Sequence, residues 1–371
     1  MSEETSPVRK PKLTPPGEAV SNGARETLLK GKNNISGVKE SEEDVVLNIS
    51  LRPSKFSEFV GHKEIVDNLK ISIQAAGQRN EPLEHVLLSG PPGLGKTSLS
   101  HIIAHEAGAK ITATSGPAIE RAGDLIGILT NLEKGDILFI DEIHRLSKVV
   151  EEFLYPAMES FQIDFVIDKG PYAKTIKFNL KPFTLIGATT RSGLLAAPLR
   201  ARFGIFYNLD FYKIDDLAKI IKHSAEILDI GIDNDAADEI ARRARGTPRV
   251  ANRLLRRIRD YAQVGGVKRV DLKMAAKSLD DLGIDKAGLD DLDRKVLKLV
   301  LEGYAGGPVG VESLAASLNE EVDTISDTVE PYLLNAGYLR RTARGRTATK
   351  LAFDHFGIKY VKEQQEELFD K

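Results

Sequence analysis

The 371-residue sequence contains no cysteine. Disulfides and cysteine-based metal sites are therefore excluded, and the composition fits a reducing, cytoplasmic setting. No run of about 18 apolar residues occurs, so no membrane-spanning helix is expected. The chain also lacks an excess of either charge: 52 Lys and Arg against 54 Asp and Glu leave a formal net charge of −2. Bulk charge neither favours nor disfavours a nucleic-acid partner, and any basic surface has to be local. The seven histidines are scattered, with none at metal-ligand spacing. Internal repeats and heptads are absent. The N-terminus, Met1-Ser2-Glu3-Glu4, has neither a basic n-region nor an apolar h-region, so no signal peptide is expected. What is present is 42% hydrophobic residues, ample for a core, at a length that suits two or three domains.

One stretch organises the chain. His85-Val86-Leu87-Leu88 reads as a buried strand, Gly90-Pro91-Pro92-Gly93-Leu94-Gly95-Lys96-Thr97 as a glycine-rich loop, and Ser98 to Ala104 as a helix. The spacing G-x-x-x-x-G-K-T between a strand and a helix describes a phosphate-binding loop. Its backbone N–H groups converge on phosphate oxygens at a helix N-terminus, where the dipole favours negative charge. Gly93, Lys96, Thr97 and Ser98 are the candidate phosphate ligands, Lys96 toward the β and γ phosphates, with Thr97 also a candidate Mg²⁺ ligand. A second unalternating run, Ile137-Leu138-Phe139-Ile140, suits a central parallel strand and ends in Asp141 and Glu142. Carboxylates at such a strand end lie where ligands bind in open α/β sheets. Hydrolysis of a γ-phosphate needs a cation to neutralise charge and a base to orient water. Asp141 is the candidate for the first task, holding Mg²⁺ through water, and Glu142 for the second. A third buried run, Phe183 to Thr190, brings Thr190 to the same edge, while His144 is read as hydrogen-bonding only.

The rest of the chain divides by composition. Residues 1–48, rich in Ser, Gly, Pro, Lys and Glu, read as a disordered N-terminal extension. A nucleotide domain over 49–211 follows. It carries helices near 63–74, 123–132 and 147–160, and a β-hairpin from Ile163 to Leu180 with Lys169-Gly170-Pro171 at its tip. Arg200 and Arg202 fall on a short helix and are candidates to reach a neighbour's nucleotide. Residues 212–284 are patterned as helices throughout and form a small helical lid. Within it, Arg249 sits in a first helical turn, where the dipole disfavours a cation; a cost there suggests contact with an anionic ligand. Residues 285–358 read as three helices and a β wing, a winged-helix head. The wing, Arg340-Arg341-Thr342-Ala343-Arg344-Gly345-Arg346, groups arginines about a glycine turn, a device for contacting phosphates. Residues 359–371 form a charged tail.

From Leu51 to Phe356 the chain resembles the RuvB family, the AAA+ ATPases of bacterial Holliday-junction branch migration. The resemblance rests on an ordered series rather than on the phosphate loop alone. It comprises Leu51-Arg52-Pro53, the loop itself, Thr114-Ser115-Gly116-Pro117-Ala118, Leu138 to Leu146, and Leu154-Tyr155-Pro156-Ala157-Met158-Glu159. Gly187-Ala188-Thr189-Thr190-Arg191, Pro198 to Gly204, Arg245-Gly246-Thr247-Pro248-Arg249 and Arg341 to Arg346 complete it. It implies an α/β fold, an AAA+ P-loop ATPase core with helical lid and C-terminal winged-helix domain. It also implies an ATP- and Mg²⁺-dependent motor for recombination and DNA repair, assembled as a homohexamer on duplex DNA at Holliday junctions. A RuvA-type junction-binding protein and a RuvC-type resolvase are the implied partners.

The resemblance further implies that Leu51 and Arg52 border the adenine. Glu159, Ser160, Phe161 and Tyr212 would line the nucleotide pocket. Arg202 would act across a subunit interface and Arg249 as a lid sensor. Arg341, Arg344 and Arg346 would contact DNA, and the hairpin would dock on the RuvA-type partner. The chain departs from the family pattern at Ser98, Ser100 and Ala343, at Asp168 and Tyr172 of the hairpin, and in its long N-terminal extension. Two rivals differ in class. A clamp-loader-like ATPase would more readily end in a helical collar than in a winged helix. A nucleotide-gated DNA-binding regulator would need neither Glu142 nor Arg202.

Overall fold

The computed structural model describes residues 51–167 and 174–360. The N-terminal extension, the tip of the hairpin with Asp168 and Tyr172, and the tail beyond residue 360 lie outside the described residues. The expected order of segments is otherwise present.

The apolar runs become five parallel strands: β1 (Val86–Ser89), β2 (Ile111–Ser115), β3 (Ile137–Asp141), β6 (Thr184–Thr189) and β7 (Ile205–Asn208). Their order in the sheet is β2-β3-β6-β1-β7. Central strands β1 and β6 are buried along their whole length, which is why their sequences do not alternate. Helix α1 (Lys63–Arg79) precedes the sheet; parallel pairing requires crossovers, and α2 (Lys96–Glu106), α3 (Ala122–Thr130) and α4 (Lys148–Glu159) lie in them. Helix α1 runs five residues past Gln74 and stops at Asn80, whose left-handed backbone caps it. Because every strand runs the same way, the ends of β1, β3 and β6 bring Gly90, Asp141 and Thr190 to one edge of the sheet. The beginnings bring His85, Phe183 and Gly204 to the opposite edge. The hairpin, β4 (Gln162–Ile167) with β5 (Lys174–Asn179), is antiparallel and separate from the main sheet.

After the four-residue α5 (Ala197–Arg200) the chain enters the lid: α6 (Ile214–Ile227), α7 (Asn234–Arg243), α8 (Pro248–Val264) and α9 (Leu272–Asp281), with the two-residue parallel pair β8 (Gly231–Ile232) and β9 (Arg269–Val270). Lid residues Leu217, Ile221, Leu254 and Ile258 share one apolar cluster with Leu88, Leu99 and Ile102 of the nucleotide domain. Burial at roughly 25 cal/mol per Å² binds these two parts together. The head has its own cluster, built on Leu292, Val296, Leu314, Val329 and Leu333. It contains α10 (Asp291–Lys298), α11 (Val311–Leu318), α12 (Glu330–Asn335), the wing strands β10 (Leu339–Thr342) and β11 (Gly345–Ala348), and α13 (Lys350–His355). Two expected helices are not uniform: α10 widens into a π-helical turn over Leu299–Gly303, and a second such turn over Thr324–Val329 precedes α12. Pro331 accounts for the second, because it cannot donate to the preceding turn. Helix α13 has no counterpart among the expected elements; at six residues it shows too little periodicity to be read.

Candidate active site

The phosphate loop folds as its glycines require. Gly90, Gly93 and Gly95 all have positive φ. At Gly90 an added Cβ would lie 2.3 Å from the carbonyl oxygen of Leu209. At Gly93 it would lie 2.7 Å from Thr247 Cγ2 and 3.0 Å from Arg249 Cβ, so this glycine is where the loop touches the lid. Gly93→Ala should therefore push the lid off the loop as well as strain φ. Nucleotide affinity is expected to fall by about tenfold, roughly 1.4 kcal/mol, in a fluorescent-nucleotide titration. An unchanged affinity would mean that the lid does not bear on the loop.

Lys96 opens α2 and is buried; its Nζ donates to the carbonyls of Gly90 at 2.7 Å and Pro91 at 2.8 Å. Burial pushes the ammonium down to about 8, opposed by the attraction of Asp141 and reinforced by the nearby Arg249. A phosphate at this position would supply the missing counter-charge. Thr97 donates its hydroxyl to Asp141 Oδ2 at 3.3 Å, so the expected pair of metal ligands meets across the loop and β3. Among the described residues no group of three or more His, Cys, Asp or Glu forms a metal cage. A hydroxyl and a single carboxylate suit Mg²⁺ that keeps waters and shares the nucleotide's phosphates.

Glu142 has a left-handed backbone, φ 48°, a conformation that costs a non-glycine residue on the order of 1–3 kcal/mol and is retained where a side chain must be aimed. Its carboxylate accepts from Arg145 at 3.1 Å, in a pair that is about half exposed. Thr190 Oγ1 is buried and has no hydrogen-bond partner among the described residues, an unmet polar atom at the phosphate-loop edge of the sheet that a water or phosphate oxygen could satisfy. His144 Nδ1 lies 3.0 Å from Thr189 Oγ1, so it props the end of β6 as expected of a hydrogen-bonding group. On the lid side the Arg249 backbone N–H approaches the Gly93 carbonyl at 3.4 Å, and the Tyr212 hydroxyl donates to Leu94 O at 3.3 Å. Leu51 is buried, Arg52 is exposed beside α2, and Ser98 is half-buried in its first turn.

The remaining candidates gather elsewhere. Phe161 packs on His85 and Phe183, with ring centroids 6.4 and 5.8 Å away. Those residues begin their strands, so this is the sheet edge opposite the phosphate loop. Phe161, Arg202 and His85 line one cavity of about 380 Å³ there. Arg202 lies just beyond α5 rather than on it. Its guanidinium stacks over Tyr155 at 4.8 Å and donates to Glu159 at 2.9 Å, with Ser160 next in sequence. A strand of four residues spans roughly 13 Å. Arg202, Glu159, Ser160 and Phe161 thus form one group, and it is not grouped with Lys96 of its own chain.

In the wing, Arg341 and Arg346 sit directly opposite each other in the β10–β11 register. Like charges in that relation repel. Glu330, 2% exposed, resolves the conflict by accepting from both: Arg341 Nε at 3.0 Å, Arg346 Nε at 2.9 Å and Arg346 Nη2 at 2.9 Å. Burial alone would raise the Glu330 carboxyl, but its bonds to Arg341 and Arg346 outweigh this and hold it below the usual range. Arg346 is largely enclosed, whereas Arg341 and Arg344 face outward. Sequence reading did not single out Glu330, Arg145 or Arg191. The last two stood inside segments that carry the family resemblance but were given no role of their own, and Glu330 lay in a Glu-Pro dipeptide inside an expected helix.

Three family models match in succession: the Holliday junction DNA helicase RuvB P-loop domain over residues 51–209, the RuvB AAA lid domain over 212–285, and the RuvB C-terminal winged helix domain over 286–357. The chain belongs to the RuvB family. It is 57% identical over 320 residues to the RuvB branch migration subunit of Chlorobaculum tepidum, covering 86% of this chain and 93% of that one. The corresponding subunit of Myxococcus xanthus is 58% identical over 314 residues, 85% and 92% of the two chains. Among solved structures, the RuvB Holliday junction branch migration motor of Thermotoga maritima superposes with a TM-score of 0.78 at 50% identity, over 84% of this chain and all of that one. The RuvB assignment makes the site that of a nucleotide-binding AAA+ ATPase, and the α/β core, helical lid and winged-helix head are those of the family. Among the described residues no helix is long and apolar enough to cross a membrane.

Proposed function

We propose that the chain is the ATP-driven motor subunit of a Holliday junction branch migration complex. The observation that carries this reading is the joining, in one chain, of a phosphate loop faced by Asp141, Glu142 and Thr190 with a head bearing an arginine wing. Lys96 and the loop amides would hold the triphosphate, with Leu51, Arg52 and Tyr212 around the base and Ser98 supporting the phosphates. Thr97 and Asp141 would hold Mg²⁺, which supplies charge neutralisation at the β and γ phosphates. Glu142, released from Arg145, would orient the attacking water; Thr190 would hold that water or the γ-phosphate. Arg249 would report the phosphate to the lid through its contact with Gly93.

The group of Arg202, Glu159, Ser160 and Phe161 supports a shared site. Since it lies at the sheet edge away from its own loop, it would serve a neighbouring subunit's nucleotide, and a closed ring such as a homohexamer lets every subunit both give and receive it. On the hairpin, Phe178 is exposed, an apolar side chain suited to docking a RuvA-type protein. A RuvC-type resolvase follows from the family's task on junctions, and cytoplasmic placement from its DNA substrate. The test is a synthetic four-way junction with ATP, with and without a RuvA-type protein, using three-strand and linear DNA as controls. Junction dissociation that needs both ATP and the fourth arm supports the reading; ATP turnover with no strand movement on any substrate refutes it.

Outward-facing Arg341 and Arg344 are the direct phosphate contacts in this reading, with Arg346 setting their pose through Glu330. Arg341→Ala and Arg344→Ala should each lower the slope of log affinity against log salt by about 1 on duplex DNA. Unchanged slopes in both variants would remove the wing from the DNA interface.

A further inference from the structure

Arg191 follows Thr190 directly, and its side chain leaves the nucleotide domain for the head. Its Nε donates to Asp327 Oδ1 at 2.7 Å, and its Nη2 donates to Asp323 Oδ1 at 2.7 Å and Ser326 Oγ at 2.8 Å. All three acceptors lie on or beside the π-helical turn Thr324–Val329. Its backbone N–H donates to Thr189 Oγ1 at 3.0 Å, the same hydroxyl that meets His144. Asp327 is close enough to the loop that its charge acts on both Lys96 and His144. The same head segment is held from the lid: Arg245, four residues before Arg249, donates to the carbonyl of Thr328 at 3.0 Å. Three residues beyond Asp327 comes Glu330, the counter-ion of the wing arginines. Residues 323–330 are thus gripped beside each candidate phosphate sensor and themselves grip the wing. The nucleotide domain and lid share one apolar core, but the head has its own, and polar contacts of this kind allow one body to shift on another.

We propose that Arg191 is a positioning residue that couples the nucleotide site to the head, its grip on Asp323, Ser326 and Asp327 being loosened when a triphosphate binds at Lys96. The proposal rests on the reading of the loop as a triphosphate site. The γ-phosphate adds negative charge facing Asp327 and offers the Arg191 guanidinium a competing bidentate acceptor. Both effects act against the same ion pair, and the freed segment moves with Glu330 and the wing.

The absence of cysteine allows a direct test. Gln78→Cys on α1 and Ala316→Cys on α11 place labels at exposed positions of the nucleotide domain and the head. Labelled chain is diluted into excess unlabelled chain, and the distance between labels is measured with saturating ADP and with a non-hydrolysable ATP analogue. The expected result is a distance that differs between the two nucleotides in the otherwise unchanged chain. That difference should fall by at least half in Arg191→Ala and in Asp327→Asn, with partial recovery in Arg191→Lys. A distance indifferent to nucleotide, or a nucleotide response of full size in both variants, would overturn the proposal. A simple structural brace would shift the mean distance in the variants and leave the nucleotide response intact. Titration of the analogue on the same labelled chain shows whether the site binds it; loss of binding in the unaltered sites would refute the triphosphate reading itself. A failed junction assay would instead refute only the motor function.

Discussion

Lys96→Ala is expected to reduce ATP hydrolysis by about 100- to 1,000-fold, the loss that follows removal of a preorganised group from a site where charge develops. The structure adds a second reason. The ammonium holds two loop carbonyls, Gly90 and Pro91, and is buried while doing so. An alanine leaves those carbonyls to water and removes the ammonium's positive charge from beside the β and γ phosphates, which then face Asp141 and Glu142 with one cation fewer. Steady-state phosphate release measures the first effect, and a fluorescent-nucleotide titration the second. A thermal melt close to that of the unaltered chain is also expected, because the apolar clusters do not involve this side chain. Hydrolysis within threefold of the starting rate would show that Lys96 serves the loop's shape alone.

For Arg202→Ala the expected loss is about 1,000-fold in DNA-stimulated hydrolysis, the lower end of what an arginine supplied across an interface contributes. Nucleotide binding to the isolated chain should survive, since the residue belongs to the opposite sheet edge, beside Glu159 and Tyr155. The decisive measurement is a mixture. Arg202→Ala subunits keep an intact loop and Glu142; Glu142→Gln subunits keep an intact Arg202. Each is inactive alone, and together they form some interfaces that hold both groups. Recovery of hydrolysis on mixing, proportional to the fraction of such interfaces, is the expected outcome. Mixtures as inactive as the separate variants would place Arg202 in the site of its own chain or outside the chemistry.

These two residues also show how far local sequence carries. Lys96 was legible because a phosphate loop is a local object: its glycines, lysine and threonine fall within one turn between a strand and a helix, and spacing alone describes it. Asp141 was legible for a related reason, since an unalternating apolar run marks a central strand and its end marks the ligand edge. Arg202 was legible from the chain only as one of two arginines, with Arg200, that could reach a neighbour's nucleotide or make an ordinary surface salt bridge, and the family resemblance chose between them. Its grouping with Phe161 and His85 needs the strand directions of β1, β6 and β7, which depend on which strands become neighbours. Helix α13 escaped notice because six residues do not establish a period. Arg191 escaped it because an ion pair leaves no pattern in the chain when its partners lie 132–136 residues away.

The sequence by itself determined the candidate residues at the sheet edge, the three-part division and the family, since each follows from residue type and short-range spacing. Only the tertiary structure decided that Arg202, Glu159 and Phe161 gather at the sheet edge away from the phosphate loop of the same chain. It also decided that Arg346 is largely spent on Glu330 while Arg341 and Arg344 remain outward. The grip of Arg191 on the head segment between the sensors and the wing was decided there too. The physical reason is common to all three. Strand order and ion pairing are settled by contacts between distant segments, and those contacts form only when the apolar faces have packed and fixed which polar groups meet.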